Sequence, residues 1–304
     1  MRILVTGSNG LVGTKVLEQL LANPAHQPLG AYHRERTNDF LGDFPVFWMD
    51  VTDAQDVRAA LDAARPDVVI HAGAFTNVDA AERDRDLAWA INAEGTSNLA
   101  QACAERGIRL VYLSTEYVFD GTDGPYREYD PVNPLGWYAK TKHGGEQALA
   151  AAAGNWAIAR TTVVYGYAPH VRSNFVLWLV GELKAGRRVR IVDDQVGSPT
   201  LADNLAQMVV ALATRQRIGI FNTAGADVIS RLEFSRQVAE TFGLDASLID
   251  RASTASLGQA APRPLNAGLV MHKFRSTFPS VPILSAADGL AIVKQQFEQA
   301  GLLS

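Results

Sequence analysis

Tyr138 and Lys142 stand four residues apart in the run W-Y-A-K-T-K-H, so on a helix they share one face. A phenol with an ordinary pKa of ~10 is a poor acid–base group at neutral pH. A neighbouring ammonium favours the phenolate and brings that pKa toward working range, so the chemistry on offer is proton transfer. The same spacing is common on plain helix surfaces, and Lys140 projects elsewhere. Just upstream, L-S-T-E-Y-V-F-D-G ends a strand with Ser114, Thr115 and Glu116. A hydroxyl there could hydrogen-bond a substrate carbonyl beside the tyrosine, or simply satisfy loop backbone groups.

These groups need a scaffold, and the chain opens on one. Met1–Val5 is a short apolar run, Thr6–Gly13 reads T-G-S-N-G-L-V-G, and Val12, Val16, Leu17, Leu20 and Leu21 follow on one helical face. That is strand, glycine turn, helix. Gly7 supplies a backbone conformation closed to other residues, Gly10 admits a phosphate close to the main chain, and Gly13 lets the helix lie on the strand. Amides at the helix start would then face a pyrophosphate. Glycines that only pack a strand against a helix are the competing explanation.

Strand and helix patterns alternate through the first half. Strands are expected at 28–32, 46–49, 67–72, 109–114 and 156–161, the fourth leading directly to Ser114 and Thr115. Thr52 and Gln55 form a capping box for the helix carrying Val57 and Leu61. Helices follow from about Asp86 to Arg106 and from Trp137. Later helices near 174–185, 201–214 and 230–242, the last capped by Ser230 and Glu233, alternate with strands at 189–192 and 218–222. Residues 252–285, with four prolines, read as loops with short strands. The fold class is α/β: a Rossmann-type doubly wound parallel sheet with a smaller, partly interwoven C-terminal substrate domain. The dinucleotide-binding domain is expected at 1–165 with 196–225 returning to it, and the substrate domain at 166–195 and 226–304.

The 304 residues are 47% apolar and 20% charged, with a net charge of −4, an ordinary globular composition. No basic block points to nucleic acid, and no apolar run approaches the ~20 residues of a membrane span. The chain enters its first strand at once, leaving no room for a signal peptide. Its single cysteine, Cys103, lies in a helical stretch as a small apolar filler. These features point to the cytoplasm.

The stretches His71–Glu82 (H-A-G-A-F-T-N-V-D-A-A-E), Ser114–Gly121, Tyr138–Glu146, Asp194–Thr200 (D-Q-V-G-S-P-T) and Arg263–Asn266 (R-P-L-N) complete the pattern. With T-G-x-x-G-x-x-G and Y-x-x-x-K, they resemble the extended short-chain dehydrogenase/reductases and, more narrowly, the dTDP-4-dehydrorhamnose reductase family. The resemblance implies hydride transfer from NADPH, with NADH the alternative, to the C4 keto group of a nucleotide-linked deoxysugar, dTDP-4-dehydrorhamnose giving dTDP-rhamnose. By it, Thr115, Tyr138 and Lys142 are catalytic. Gly7, Asn9, Gly10, Leu11, Val12, Gly13, His33, Arg34, Asp50, Val51, Ala72, Gly73, Ala74 and Thr76 bind cofactor, together with Tyr138 and Lys142. Thr115, Glu116, Tyr138, Asn174 and Arg263 bind substrate, Arg263 either meeting the diphosphate or forming a structural ion pair. Asn92 supports the active-site helix. No metal ligands are expected, and the assembly allowed is a homodimer.

After the second strand, Tyr32-His33-Arg34 offers no carboxylate at the strand end for a ribose hydroxyl, while His33 and Arg34 could meet a 2′-phosphate. Two departures from the family stand out. Glu116 occupies the usual place of an aspartate, and Val163 that of a tryptophan near the sugar. Trp137 either restores part of that ring or merely packs. The competing functions are a sugar-nucleotide dehydratase or epimerase and a non-catalytic NADP-binding regulatory subunit. Dehydratases tend to show Thr-Asp-Glu where this chain has Thr115, Glu116 and Tyr117, one acid fewer. The β subunit of methionine adenosyltransferase shares the fold, but Thr115, Tyr138 and Lys142 argue for catalysis.

Overall fold

Alternation along the strands decides how the sheet is covered. In the computed structural model, which describes residues 1–33, 38–152, 154–171 and 174–302, six strands come from the first half. They are β1 (Arg2–Thr6), β2 (Gln27–Tyr32), β3 (Val46–Trp48), β4 (Val68–His71), β5 (Arg109–Thr115) and β6 (Trp156–Thr161). Ile3, Val5, Ile70 and Val111 pack on one face, while Leu4, Val69, Leu110 and Tyr112 pack on the other. Such strands must be apolar on both sides, as parallel strands under two helix layers are.

With Gly219–Asn222 the six form one seven-stranded sheet, every pairing parallel, in the order Gly219–Asn222, β6, β5, β4, β1, β2, β3. The chain winds outward in both directions from the β1–β4 junction. The crevice beyond the carboxyl ends of those two strands is where such sheets take ligands. The helices Leu11–Leu21 and Ala202–Thr214 cover one face, and Ala54–Ala64 and Gly95–Glu105 the other.

A third core gathers Tyr165, Val176, Leu179, Phe234, Val238, Leu290 and Phe297 from the later part of the chain. It includes the helices Phe175–Lys184, Arg231–Phe242 and Ala286–Gln299. The last of these was not anticipated. Its signal lies in Ser285, whose hydroxyl accepts from the Asp288 amide and donates to the Asp288 carboxylate. The chain crosses between the cores repeatedly. Val196 bridges to Asn266, Tyr126 bridges to Leu269, and Phe274 and Phe278 return to the core under the sheet.

Two local expectations are corrected. The Ala54–Ala64 helix is capped by Asp53, whose carboxylate accepts from the Gln55 and Asp56 amides, not by Thr52. Asp53 sits one residue nearer the helix, and the Thr52 hydroxyl is engaged by Asp50 at 2.7 Å. The expected helix from Asp86 to Arg106 is interrupted. α-Helical Arg85–Trp89 and Gly95–Glu105 flank a π-turn, Ala90–Glu94.

Candidate active site

The glycine turn closes over the sheet where β1 meets β4. Gly7 has φ +64°, and a Cβ there would lie 2.6 Å from the Gly73 Cα. A Cβ on Gly13 would overlap the Gly7 carbonyl, so the helix could not seat. The Gly10 amide donates to the Gly7 carbonyl at 2.9 Å, and no side chain caps the helix that starts at Leu11. Beside the turn lies a cavity of about 490 Å³. That is within the range for a small-molecule or cofactor site.

Gly7, Asn9, His33, Asp50, Val51, Gly73, Ala74 and Thr76 line this cavity, together with Phe75 and Ile91, which sequence reasoning missed. Gly10, Leu11, Val12, Gly13, Ala72, Tyr138 and Lys142 are not in its wall. Gly10 is exposed at the helix start, Gly13 is buried beneath the turn, and Leu11, Val12 and Ala72 are half-buried. Arg34 lies outside the described residues. The Asp50 carboxylate accepts from the Thr52 amide and hydroxyl and sits 3.3 Å from His33 Nε2. Burial opposes its ionisation, but those partners hold it below the usual range. His33 leans on Trp48, ring centroids 5.2 Å apart.

Tyr138 and Lys142 are on the first turns of the helix Trp137–Ala151, facing the end of β5. Lys142 is buried. Its Nζ donates to the Leu113 carbonyl at 2.7 Å and lies 4.1 Å from the centre of the Tyr112 ring. Burial, against the pull of Glu146, lowers its pKa to about 7. His71 stacks on Tyr112 and pairs with Thr6, its Nδ1 2.6 Å from the Thr6 hydroxyl. Burial and the nearby lysine depress it to about 3, so it is neutral.

The expectation that Lys142 draws the Tyr138 pKa down is corrected here. Burial, and then the Glu116 charge, push the Tyr138 phenol up, offset in part by a hydrogen bond with Thr115. The lysine's charge is spent on a carbonyl and a ring, and the phenol keeps its proton. Thr115 donates to Glu116 Oε2 at 2.8 Å and accepts from the Tyr117 amide. Ser114, by contrast, turns inward and donates to Glu146 at 2.6 Å, within a buried pair that Arg160 completes with bonds of 2.9 and 2.7 Å. Of the two hydroxyls ending the strand, Thr115 is the one on the tyrosine's side.

Asn92 is positioned by the π-turn. Its Oδ1 accepts from the Phe75 amide at 2.8 Å, and its Nδ2 donates to Phe75 O and to Thr141 Oγ1. One side chain thereby ties the cavity wall to the tyrosine helix. Arg263 is an ion-pair residue, its guanidinium 2.9 Å from Asp79 and also donating to Ala261 O. Asn174 caps the Phe175–Lys184 helix, accepting from Val176 and Leu177 amides and donating to Gly166 O. Trp137 does not replace the ring lost at Val163. It donates to Arg85 O and sits against Trp89, whereas Val163 lines a second, small cavity with Glu116 and Tyr117. Arg231, also missed, faces this cavity over the Phe175 ring, near Glu116 and Tyr117.

The doubly wound sheet, the glycine turn at its switch point and the Tyr138/Lys142 pair beside Thr115 define an extended short-chain dehydrogenase/reductase. Comparison with known proteins makes this specific. The family model described as RmlD substrate binding domain matches residues 1–287. Over 269 residues the chain is 37% identical to a dTDP-4-dehydrorhamnose reductase of Mycobacterium tuberculosis, covering 86% of this chain and 82% of that one. Over 267 residues it is 34% identical to a probable low-salt glycan biosynthesis reductase, Agl14, of Haloferax volcanii, covering 87% and 88%. A solved dTDP-4-dehydrorhamnose reductase of Bacillus anthracis, in complex with NADP, superposes with a TM-score of 0.85 at 28% identity, over 97% of this chain and 99% of that one. The chain belongs to the RmlD family. Among the described residues no helix is long and apolar enough to cross a membrane, and no acidic or sulfur cluster could hold a metal.

Proposed function

We propose that the protein reduces the C4 keto group of a nucleotide-linked 6-deoxyhexose with NADPH, dTDP-4-dehydrorhamnose giving dTDP-rhamnose. What supports this reading is that the helix carrying Tyr138 also carries Lys142, whose Nζ donates to the Leu113 carbonyl near the end of β5, with Thr115 close to the phenol. A dinucleotide fits the cavity beside the glycine turn by its size, and Gly7 keeps the turn seated on the sheet, where a Cβ would strike the Gly73 backbone. When bound, the reduced nicotinamide supplies the hydride. Gly7, Asn9, Val51, Gly73, Ala74 and Thr76 would hold it, with Asp50 and His33 at the adenosine end; Lys142, outside that wall, would meet the nicotinamide ribose by the family resemblance.

Tyr138 donates its proton to the oxygen at C4, and its raised pKa keeps that proton in place until charge develops there. Thr115 orients the keto oxygen, Glu116 meets a sugar hydroxyl, and Asn174 and Arg263 shape the far side through the loops they brace. The acidic net charge and the lack of a basic block support a protein without nucleic-acid or membrane partners, working in the cytoplasm, with a homodimer the allowed assembly. The same reading divides the chain into a cofactor domain, 1–165 with 196–225, and a substrate domain, 166–195 with 226–304.

The test is consumption of NADPH, then NADH, by the purified protein with a panel of keto-sugar nucleotides. Turnover of dTDP-4-dehydrorhamnose with a clear preference for NADPH is expected. Tight NADPH binding without turnover of any member would overturn catalysis and favour a regulatory subunit.

A further inference from the structure

Gly136 has no side chain to cap the helix that carries Tyr138, yet the first amide of that helix is not left open. The Trp137 N–H precedes the first intrahelical bond, from Lys140 N to Gly136 O, and it donates to Glu82 Oε1 at 2.6 Å. Gly136 has ordinary extended angles, φ −91° and ψ 168°, so its backbone does not call for glycine. What glycine supplies is space, because a Cβ there would lie 3.2 Å from Glu82 Oε1. The Trp137 indole is tied to the same stretch. Its Nε1 donates to Arg85 O at 2.9 Å, and the Arg85 guanidinium lies 5.2 Å from the ring centre and 3.1 Å from Glu82 Oε2.

Glu82 belongs to the short helix Val78–Arg83, which begins directly after Thr76 and Asn77 in the wall of the cavity beside the glycine turn. Asn77 caps it, accepting from the Ala80 amide at 3.0 Å. Asp79, three residues before Glu82 and so on the same face, accepts from the Ala261 amide at 3.0 Å and from Arg263 at 2.9 Å. One short helix thus leads from the cavity wall to the tyrosine helix and to the loop that carries Arg263. We propose that Glu82 is a positioning residue, which through the Trp137 amide sets the Tyr138 phenol at its place relative to the cavity wall. This rests on the reductase reading above. Asn92 ties the following turn through Thr141, so Tyr138 is held on both sides, at Trp137 and at Thr141. A shift of about 1 Å in a reacting group costs up to about a hundredfold in rate. A cap that merely stabilised the helix would act on folding instead.

Three variants separate positioning from capping. Glu82→Ala removes the tie, and Glu82→Gln keeps an acceptor oxygen at the same reach. Gly136→Ser added to Glu82→Ala supplies a cap from the residue itself while leaving the tie broken. With dTDP-4-dehydrorhamnose and NADPH, kcat should fall about tenfold to a hundredfold in Glu82→Ala, with NADPH affinity unchanged, and stay near wild type in Glu82→Gln. The added serine should restore Tm but not kcat. Recovery of both would make Glu82 a helix cap only and overturn the proposal, as would full kcat in Glu82→Ala. Asp79→Asn frees the Arg263 loop instead and should raise KM for the sugar nucleotide more than it lowers kcat. Equal losses in kcat and KM from Asp79→Asn and Glu82→Ala would mean general loosening and also overturn it. Should Glu82→Ala fail to fold alone, the serine double variant carries the comparison. If wild type turns over no keto sugar, the reductase reading fails, and NMR of the ligand-free protein decides the positioning separately. The ring signal of labelled Tyr138 should shift in Glu82→Ala and stay shifted when Gly136→Ser is added. A signal that never moves, or that returns with the serine, overturns it.

Discussion

Spacing put Tyr138 and Lys142 on one helix face, and only the neighbouring motifs marked them as a pair; their charges were not legible at all. Spacing says which side chains share a helix face; it does not say that Lys142 reaches back to the Leu113 carbonyl or that Glu116 sits beside the phenol. Ser114 and Thr115 show the same limit. Adjacent hydroxyls on a strand point to opposite faces, and only the fold decides which face holds Glu146 and which holds Tyr138. Arg231 lies in no motif, and Phe75 lies in the His71–Glu82 stretch without a chemistry-bearing group to single it out; the role of each depends on what the chain packs beside it. At this scale Tyr138→Phe should lower kcat by about 10²–10⁴ with NADPH affinity nearly unchanged. Lys142→Ala should weaken both, and fluorescence titration with NADPH alongside steady-state assays separates the two patterns.

At the scale of elements, the helix carrying the tyrosine is held at a fixed height by close contacts. A Cβ on Gly145 would fall 2.7 Å from the Asn92 carbonyl and still closer to the Tyr112 hydroxyl. Neither neighbour can withdraw, since Tyr112 is wholly buried and Asn92 belongs to the π-turn. Gly145→Ala should lift the helix from the π-turn, lowering kcat and Tm together, as parallel kinetic and thermal-unfolding measurements would show. The strands and most helices were readable because apolar period and capping signals agree with tertiary burial. The π-turn was invisible: it spans only Ala90–Glu94, too short a stretch for its shift of the apolar phase to be told from ordinary irregularity.

Across the whole molecule, the buried ionisable groups make stability depend on pH in three windows. Glu146 opposes burial with Arg160, His143 and Ser114 and is held at about 2, below its ordinary 4.5. Its contribution is complete above 4.5 and is lost as pH falls through 2. Glu116 goes the other way, from 4.5 up to about 7, so its contribution is complete below 4.5 and is lost as pH rises through 7. Lys142, lowered from 10.5 to about 7, contributes fully above 10.5 and loses that contribution as pH falls through 7. Together the two active-site groups place a minimum of stability near neutral pH. Glu116→Gln should therefore raise Tm more at pH 8 than at pH 4.5, read by calorimetry across the range.

The position of Gly219–Asn222 bears on how the molecule is made. This strand arrives last of the seven and pairs with β6, Ala157 opposite Gly219. During synthesis the backbone of β6 has no partner on that side until some sixty further residues have left the ribosome, a time of about 3–12 s at ordinary elongation rates. An apolar strand with one open edge is a template for pairing with other chains. A chain stopped just before Gly219 should accordingly be recovered in the insoluble fraction, whereas one extended through the Phe274–Phe278 segment, which closes the core behind that strand, should stay in solution. The nascent protein is thus most exposed to aggregation while the ribosome is still building the segment between β6 and its partner.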